Sequence, residues 1–142
     1  MPKILFLFLL IFINCETYEG AKVFEIANNK GKKYEVSLSV EVGEEFALKF
    51  TGNPTAGYTW VLLNVDQVSD TLKGLNFDKD GIAEYVADEV DKEFVGSPSK
   101  FYYKFKALKA TNEEKVLNFS YTRAWVKNNN IEPDTIVKIT VY

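Results

Sequence analysis

The chain has 142 residues, a formal net charge of −3 and no histidine, and 46% of its residues are hydrophobic. This length predicts one domain that can form a core of its own. The single cysteine excludes an internal disulfide, and the acidic balance argues against a nucleic-acid partner, which favours a basic protein face.

The first fifteen residues have the pattern of a secretory signal peptide. Lys3 gives a positive start, the apolar run ILFLFLLIFI fills residues 4–13, and the single cysteine, Cys15, follows. The run is too short to span a bilayer as a helix. We expect cleavage after Cys15, so that the mature chain has a net charge of about −4 because Lys3 leaves without an acid. An uncleaved anchor, or a bacterial lipoprotein acylated on Cys15, is the alternative.

The rest of the chain alternates between apolar and polar residues with the period of β-strands. Residues 16–32 are predicted to form a loose N-terminal entry with one edge strand at 23–27, and residues 33–142 to form the domain. Strands are predicted at 33–40, 45–50, 58–65, near 77, near 85–86, and at 101–108, 116–125 and 136–142. A short helical turn fits within 65–72. Turn residues separate these segments, which favours an all-β, immunoglobulin-like antiparallel β-sandwich of seven or eight strands without a disulfide.

The residue types exclude most catalytic designs. Without His, and with the single Cys in the predicted signal peptide, the mature chain has no Ser–His–Asp triad, Cys–His pair or thiolate–imidazole zinc site. Acids concentrated in residues 78–93 could form a carboxylate pair or a Ca²⁺ site, although charge runs of this kind are usually solvated loops. We therefore predict no enzyme, no catalytic residue, no metal and no cofactor. Asn118–Ser120 is a glycosylation sequon within a predicted strand.

Residues 53–58, the NPTAGY loop, combine the features of a narrow and rigid turn. Pro54 fixes one φ angle, Gly57 permits a conformation that other residues avoid, and Asn53 can bond within its own turn. The tip residues Thr55 and Ala56 are small, so the loop could enter a cleft at little ordering cost. By itself the same composition also fits an ordinary hairpin turn.

Two further segments carry candidate binding residues. Arg123 and Trp125 stand at the end of the strand that contains Tyr121, as an interface anchor pair would, although a core Trp with a neighbouring Arg fits equally. Gly96 and Ser97 lie in the segment VGSPS, which reads as a loop.

The motifs NPTAGY, VGSPS and YTRAW, in this order, resemble the chagasin-type inhibitors of papain-like cysteine peptidases. The resemblance covers about residues 34–142 and includes the closing PDTIVKITVY. That family carries an NPTTG-aromatic loop, a glycine-rich loop and an RPW loop at one end of an immunoglobulin-like sandwich. This chain departs from the family pattern at three sets of positions: Ala56 replaces the second Thr, Pro98 and Ser99 stand at Gly positions, and Ala124 replaces the Pro.

The resemblance implies a reversible, tight-binding inhibitor of a papain-like peptidase, either endogenous or from a host, and a monomer is the default expectation for its oligomeric state. Thr55 and Ala56 would then lie over the catalytic Cys and His of the enzyme, with Arg123 and Trp125 on the primed side of the cleft and the Gly96–Ser97 segment on the other side. The predicted signal peptide, rather than the resemblance, implies the secretory pathway, with secretion or a vesicle- or lysosome-like compartment as the destination. A secreted adhesion or carbohydrate-binding sandwich is the alternative, and it would present aromatic residues across a sheet face.

Overall fold

The computed structural model describes residues 16–27, 33–54, 57–87, 99–123 and 131–142. These residues form ten strands and one short helix. The strands are β1 (Thr17–Tyr18), β2 (Ala21–Glu25), β3 (Tyr34–Val40), β4 (Glu45–Gly52), β5 (Tyr58–Leu62), β6 (Leu72–Gly74), β7 (Tyr85–Ala87), β8 (Ser99–Ala107), β9 (Lys115–Arg123) and β10 (Thr135–Val141), and the helix is α1 (Val65–Val68). No helix in this described part of the chain is long and apolar enough to cross a membrane.

The strands form two sheets that enclose one core. The first sheet has the order β1-β2-β4-β8, and both β6 and β7 pair with the free side of β8; the second sheet has the order β3-β10-β9-β5. The predicted all-β sandwich is thereby confirmed. Most strand pairs are antiparallel, and two are parallel: β2 runs parallel to β4 and β3 runs parallel to β10. The pair β3–β10 joins strands from opposite ends of the chain, where short-range turn signals carry no information about direction.

Residues 16–27, the described part of the N-terminal segment, form two strands where the sequence predicts one edge strand at 23–27. Where it is described, it supplies strands β1 and β2, and the amide of Ile26 donates to the carbonyl of Lys49 at 2.9 Å. Ala21 is fully buried and Ile26 is 4% exposed. The segment is therefore a part of the sandwich, because the side of β4 that faces away from β8 needs a strand to cover its peptide groups.

The core consists of the inward residues of alternating strands. Phe50 and Tyr103 of the first sheet meet Trp60 and Phe119 of the second, with Phe50 lying 4.6 Å from both of the latter rings. The buried hydroxyl of Tyr103 lies 2.7 Å from the carbonyl oxygens of Trp60 and Gly81. Two differences from the prediction lie beside this core: Phe77 forms a single bridge rather than a strand, and β6 was not predicted.

Candidate functional site

The segments that carry the predicted binding residues leave the sandwich at one end. Gly52 at the end of β4 pairs with Ser99 at the start of β8, and Ser99 also pairs with Ala87 at the end of β7. In the second sheet, Tyr58 at the start of β5 pairs with Arg123 at the end of β9. The strand ends that flank residues 53–57 and 88–98, and the strand end that precedes residues 124–130, therefore lie at the same end of the sandwich.

The NPTAGY loop is closed by a short turn between its described residues. The amide of Gly57 donates to the carbonyl of Pro54 at 3.0 Å, and Gly57 has a φ angle of 84°. This left-handed conformation favours glycine, as the sequence predicts. Thr55 and Ala56 lie outside the described residues, so the structure bears on the base of the loop and not on its tip.

Tyr121 of β9 holds the first residue of this loop. Its hydroxyl accepts a hydrogen bond from the backbone amide of Asn53 at 2.6 Å. The ring also fills the space beside Gly52, where a Cβ atom would lie 2.8 Å from a carbon of the Tyr121 ring. Gly52 thus allows the tyrosine to approach the backbone closely enough to bind the loop.

Trp60 joins the two stems of the loop across the sandwich. Its indole N–H, on β5 of the second sheet, donates to the carbonyl of Thr51 on β4 of the first sheet at 3.0 Å. The side chain is only 2% exposed, so this bond forms away from competing water. The separation of the two strands at the base of the loop is fixed by this contact.

A row of aromatic rings continues from the core to the loop end of the second sheet. Tyr121 lies 5.1 Å from Trp60 and 5.3 Å from Tyr58 between ring centroids. The guanidinium group of Arg123 lies over the Tyr58 ring, 5.3 Å from its centroid, in the geometry of a cation–π contact. Tyr58 and Arg123, which the sequence assigns to two different binding segments, are therefore in direct contact.

Asp134 fixes the strand that carries Tyr121 and Arg123. One carboxylate oxygen accepts from the backbone amide of Tyr121 at 2.9 Å, and the other accepts from the hydroxyl of Thr135 at 3.0 Å. The Asp134 amide donates to the carbonyl of Phe119 at 3.0 Å. Sequence reasoning missed the contributions of Tyr121, Thr51 and Asp134, although Tyr121 and Asp134 lie within the family-like motifs YTRAW and PDTIVKITVY.

Several predicted residues lie outside the described part of the chain. These are Thr55, Ala56, Gly96, Ser97, Ala124 and Trp125. Ser99, which the sequence places in the middle loop, instead begins β8 and is 4% exposed, so it belongs to the sheet. The departure from the family pattern at Ser99 therefore falls on a strand residue.

The acids of residues 78–93 are described in part. Among the residues that the structure describes, no group of three His, Cys, Asp or Glu side chains lies close enough to hold a metal ion. Asp80 accepts from the amide of Ile82 at 3.2 Å, which is a local turn contact. Asn118 lies within β9, and its glycosylation stays a prediction.

A family model and a curated relative match most of this chain. Residues 39–141 match the family model of the chagasin family peptidase inhibitors, I42. Amoebiasin-1 of Entamoeba histolytica is 30% identical over 94 residues, which cover 66% of this chain and 79% of that protein.

Two solved structures share the fold. The cysteine protease inhibitor EhICP2 from Entamoeba histolytica has a TM-score of 0.55 at 18% identity, covering 84% of this chain and 94% of that one. PbICP-C, solved in complex with falcipain-2, has a TM-score of 0.55 at 18% identity, covering 84% of this chain and 98% of that one. The family match over most of the chain shows its class: the protein belongs to the chagasin family and is an inhibitor of papain-like cysteine peptidases rather than an enzyme.

Proposed function

We propose that the NPTAGY loop enters the active-site cleft of a papain-like peptidase and blocks it without a covalent step. Thr55 and Ala56 would lie over the catalytic Cys and His of the enzyme and exclude substrate. The observation that carries this proposal is the convergence of the strand ends Gly52, Tyr58, Ser99 and Arg123 at one end of the sandwich. The bonds that hold Asn53 and Trp60 would keep the loop in shape before binding, which lowers the entropic cost of association.

The flanking segments would contact the two sides of the cleft. Trp125 would pack on the primed side, with Arg123 beside it, while Gly96 and Ser97 would contact the opposite side. Trp and Arg are common anchors at protein interfaces. Three such segments would bury about 1,600 Å² in total, the usual size for a protease–inhibitor interface. The partner that these features support is a single peptidase molecule bound by a monomer of this chain.

A titration of the protein against papain and against trypsin tests the proposal. We expect residual papain activity to fall linearly to a stoichiometric end point, while trypsin is unaffected. Recovery of papain activity after dilution would demonstrate a reversible complex, and mass spectrometry of the inhibitor should find no cleaved or adducted chain. Full papain activity at a large excess of the protein would contradict the proposal and favour the alternative of an adhesion or carbohydrate-binding module.

We also propose that the chain enters the secretory pathway, from which it is secreted or delivered to a vesicle- or lysosome-like compartment. The support is the apolar run at residues 4–13, which follows Lys3 and ends shortly before Cys15. Translation in the presence of microsomes tests this proposal. We expect a protected product that begins at Glu16, and a product that retains Met1 and stays accessible to protease would contradict it.

A further inference from the structure

An apolar groove runs beside the NPTAGY loop, where the sandwich is open between its two sheets. The groove has a volume of about 510 Å³. One wall belongs to the loop and to β5, and the other belongs to the segment that leads into β7. The loop side consists of Pro54, Gly57, Tyr58 and Thr59, and the other side consists of Ile82, Ala83, Glu84 and Tyr85.

The far wall of this groove exposes apolar side chains to solvent. Ile82 is 37% exposed, Tyr85 is 51% exposed and the next residue, Val86, is 49% exposed. These are three of the eight large hydrophobic residues that are exposed in the described part of the chain, and they lie within five consecutive positions. Ala83, by contrast, is 2% exposed and contributes a buried apolar base. Of the three exposed residues, Ile82 and Tyr85 line the groove, and together with Ala83 they make this side of it apolar.

The near wall includes β5, which, among the described residues, is an edge strand of the second sheet and pairs only with β9 there. In β5 the amide of Leu62 points away from β9 and donates to the carbonyl of Gly81, whereas the amide of Leu63 donates to Asn118 of β9. Peptide groups alternate in direction along an antiparallel strand. The peptide groups of Tyr58 therefore lie on the side of β5 that faces away from β9. Apolar walls beside the edge of a sheet are a setting in which a segment of a partner protein can bind.

We propose that this groove receives an apolar side chain from the wall of the peptidase cleft, and that this contact contributes to the choice of peptidase. The inference rests on the proposed function, because Pro54, Gly57 and Tyr58 belong both to the inserting loop and to the groove. A loop that fills a cleft meets a cleft wall on each flank. On the side of the loop that faces Ile82 and Tyr85, the groove is the surface that the wall of the peptidase cleft would contact.

A double substitution tests the contact. In Ile82→Ser/Tyr85→Ser we expect the inhibition constant for papain to rise about tenfold or more, since burial of two exposed apolar side chains would be lost. The change should differ in size between papain and cathepsin L, because the side chains of their cleft walls differ. The matched control is Val42→Ser/Leu108→Ser, which removes two exposed apolar side chains (49% and 43%) at the opposite end of the sandwich. The inhibition constants of this control variant for both enzymes should equal those of the parent.

Hydrogen exchange on the unsubstituted protein gives an independent measurement, which matters because the Tyr85 ring packs 5.8 Å from Phe101 and its loss could disturb the fold. On binding papain, we expect slower exchange in residues 82–87 and unchanged exchange in residues 41–44. Unchanged exchange in 82–87, or an inhibition constant of the double variant equal to that of the parent, would overturn the inference and leave the proposed function intact. If the unsubstituted protein does not inhibit papain, that result would contradict both this inference and the proposed function. A parent dimer that the same double substitution dissociates would identify a second copy as the occupant and overturn the inference.

Discussion

Tyr121 connects two segments that the sequence presents as separate binding elements. Its hydroxyl holds the amide of Asn53 at the start of the NPTAGY loop, and its ring stacks on Tyr58 at the end of that loop. Two residues further along the same strand, Arg123 lies over Tyr58. The tyrosine therefore acts as a positioning residue for both segments, through contacts that lie behind the proposed peptidase surface.

Removing the Tyr121 hydroxyl should loosen the loop while the ring keeps its packing. For Tyr121→Phe we expect a loss of about 1 kcal/mol in binding, or roughly a fivefold rise in the inhibition constant for papain, because the Asn53 amide loses its acceptor. Tyr142→Phe, at an exposed tyrosine near the opposite end, is the control. Equal inhibition by Tyr121→Phe and the parent would contradict the positioning role.

Trp125 is the residue with the largest expected effect on affinity. If it is a central anchor, Trp125→Ala should weaken binding by about 2–4 kcal/mol, as large aromatic hot spots do. The measurement is the inhibition constant for papain, together with the urea midpoint of the free protein. A variant that folds normally and inhibits as well as the parent would show that Trp125 lies outside the interface.

At the scale of the element, the NPTAGY loop is held by both sheets. Trp60 ties its outgoing strand to Thr51 on its incoming strand, and the turn from Pro54 to Gly57 closes the base. The backbone conformation of Gly57, with φ at 84°, is strained for any residue with a Cβ atom. The described base of the loop, from Thr51 to Pro54 and from Gly57 to Trp60, is therefore held by contacts within the protein itself.

Gly57→Ala tests the importance of this shape. We expect a cost of about 1–2 kcal/mol at the loop and an inhibition constant about tenfold higher, because the left-handed conformation becomes unfavourable. Gly43→Ala is a matched control, since Gly43 has a φ angle of 85° and open space around it at the opposite end of the sandwich. The Gly43→Ala control should lose a similar amount of folding stability and should inhibit papain as strongly as the parent. Similar inhibition constants for the two variants would argue against loop preorganisation.

Strand β2 is an element of the fold that begins before the residues matched by the family. Ile26, which follows it, is 4% exposed and packs in the core. Ile26→Ala should lower the free energy of unfolding by about 2–4 kcal/mol, through lost burial and a residual cavity. Urea denaturation measures this change, with the exposed Val116→Ala as control. A loss below about 0.5 kcal/mol would mean that the N-terminal strand contributes little to the fold.

At the scale of the whole molecule, Tyr103 links the sheets through the centre of the core. It belongs to β8 of the first sheet, and its hydroxyl reaches the Trp60 carbonyl on β5 of the second sheet. Burial of the hydroxyl raises the pKa of Tyr103 well above its ordinary value of 10.0. The phenol therefore stays protonated in the folded protein at a pH where an unfolded chain would ionise it.

This pKa shift predicts a loss of stability in alkali. Below pH 10 the Tyr103 phenol is protonated in both the folded and the unfolded state, so its full contribution to stability is present. Above pH 10 the unfolded chain loses this proton while the folded protein keeps it. The free energy of unfolding therefore falls by about 1.4 kcal/mol per pH unit because of this group. Tyr103→Phe should be less stable at pH 7, by about 1–3 kcal/mol, and should depend less steeply on pH above 10. Urea denaturation at pH 7 to 12 measures both effects. Parallel pH profiles for the variant and the parent would contradict this assignment.

The sequence by itself determined the fold class, the inhibitor family and most of the strands. Alternation with period two reports which residues face the core, as at Phe46, Leu48 and Phe50, and this information is local. Motif residues such as Pro54, Gly57 and Arg123 have properties that depend on residue type alone, such as a restricted φ angle or a charged group. Each of them could therefore be identified from the sequence. Pairing of β2 with β4 and of β3 with β10 could not be read in this way, since it joins segments without a connecting turn.

Only the tertiary structure decided how the loops are supported and what lies beside them. Tyr121 meets Asn53 across 68 positions of sequence, and its pattern signals no more than an inward aromatic residue near a strand end. The groove between Tyr58 and Tyr85 arises from two edge strands in different sheets, so neither strand carries a signal for it. Side-chain alternation is a property of a single strand, whereas a hydrogen bond or a groove between distant strands depends on the packing of the two sheets.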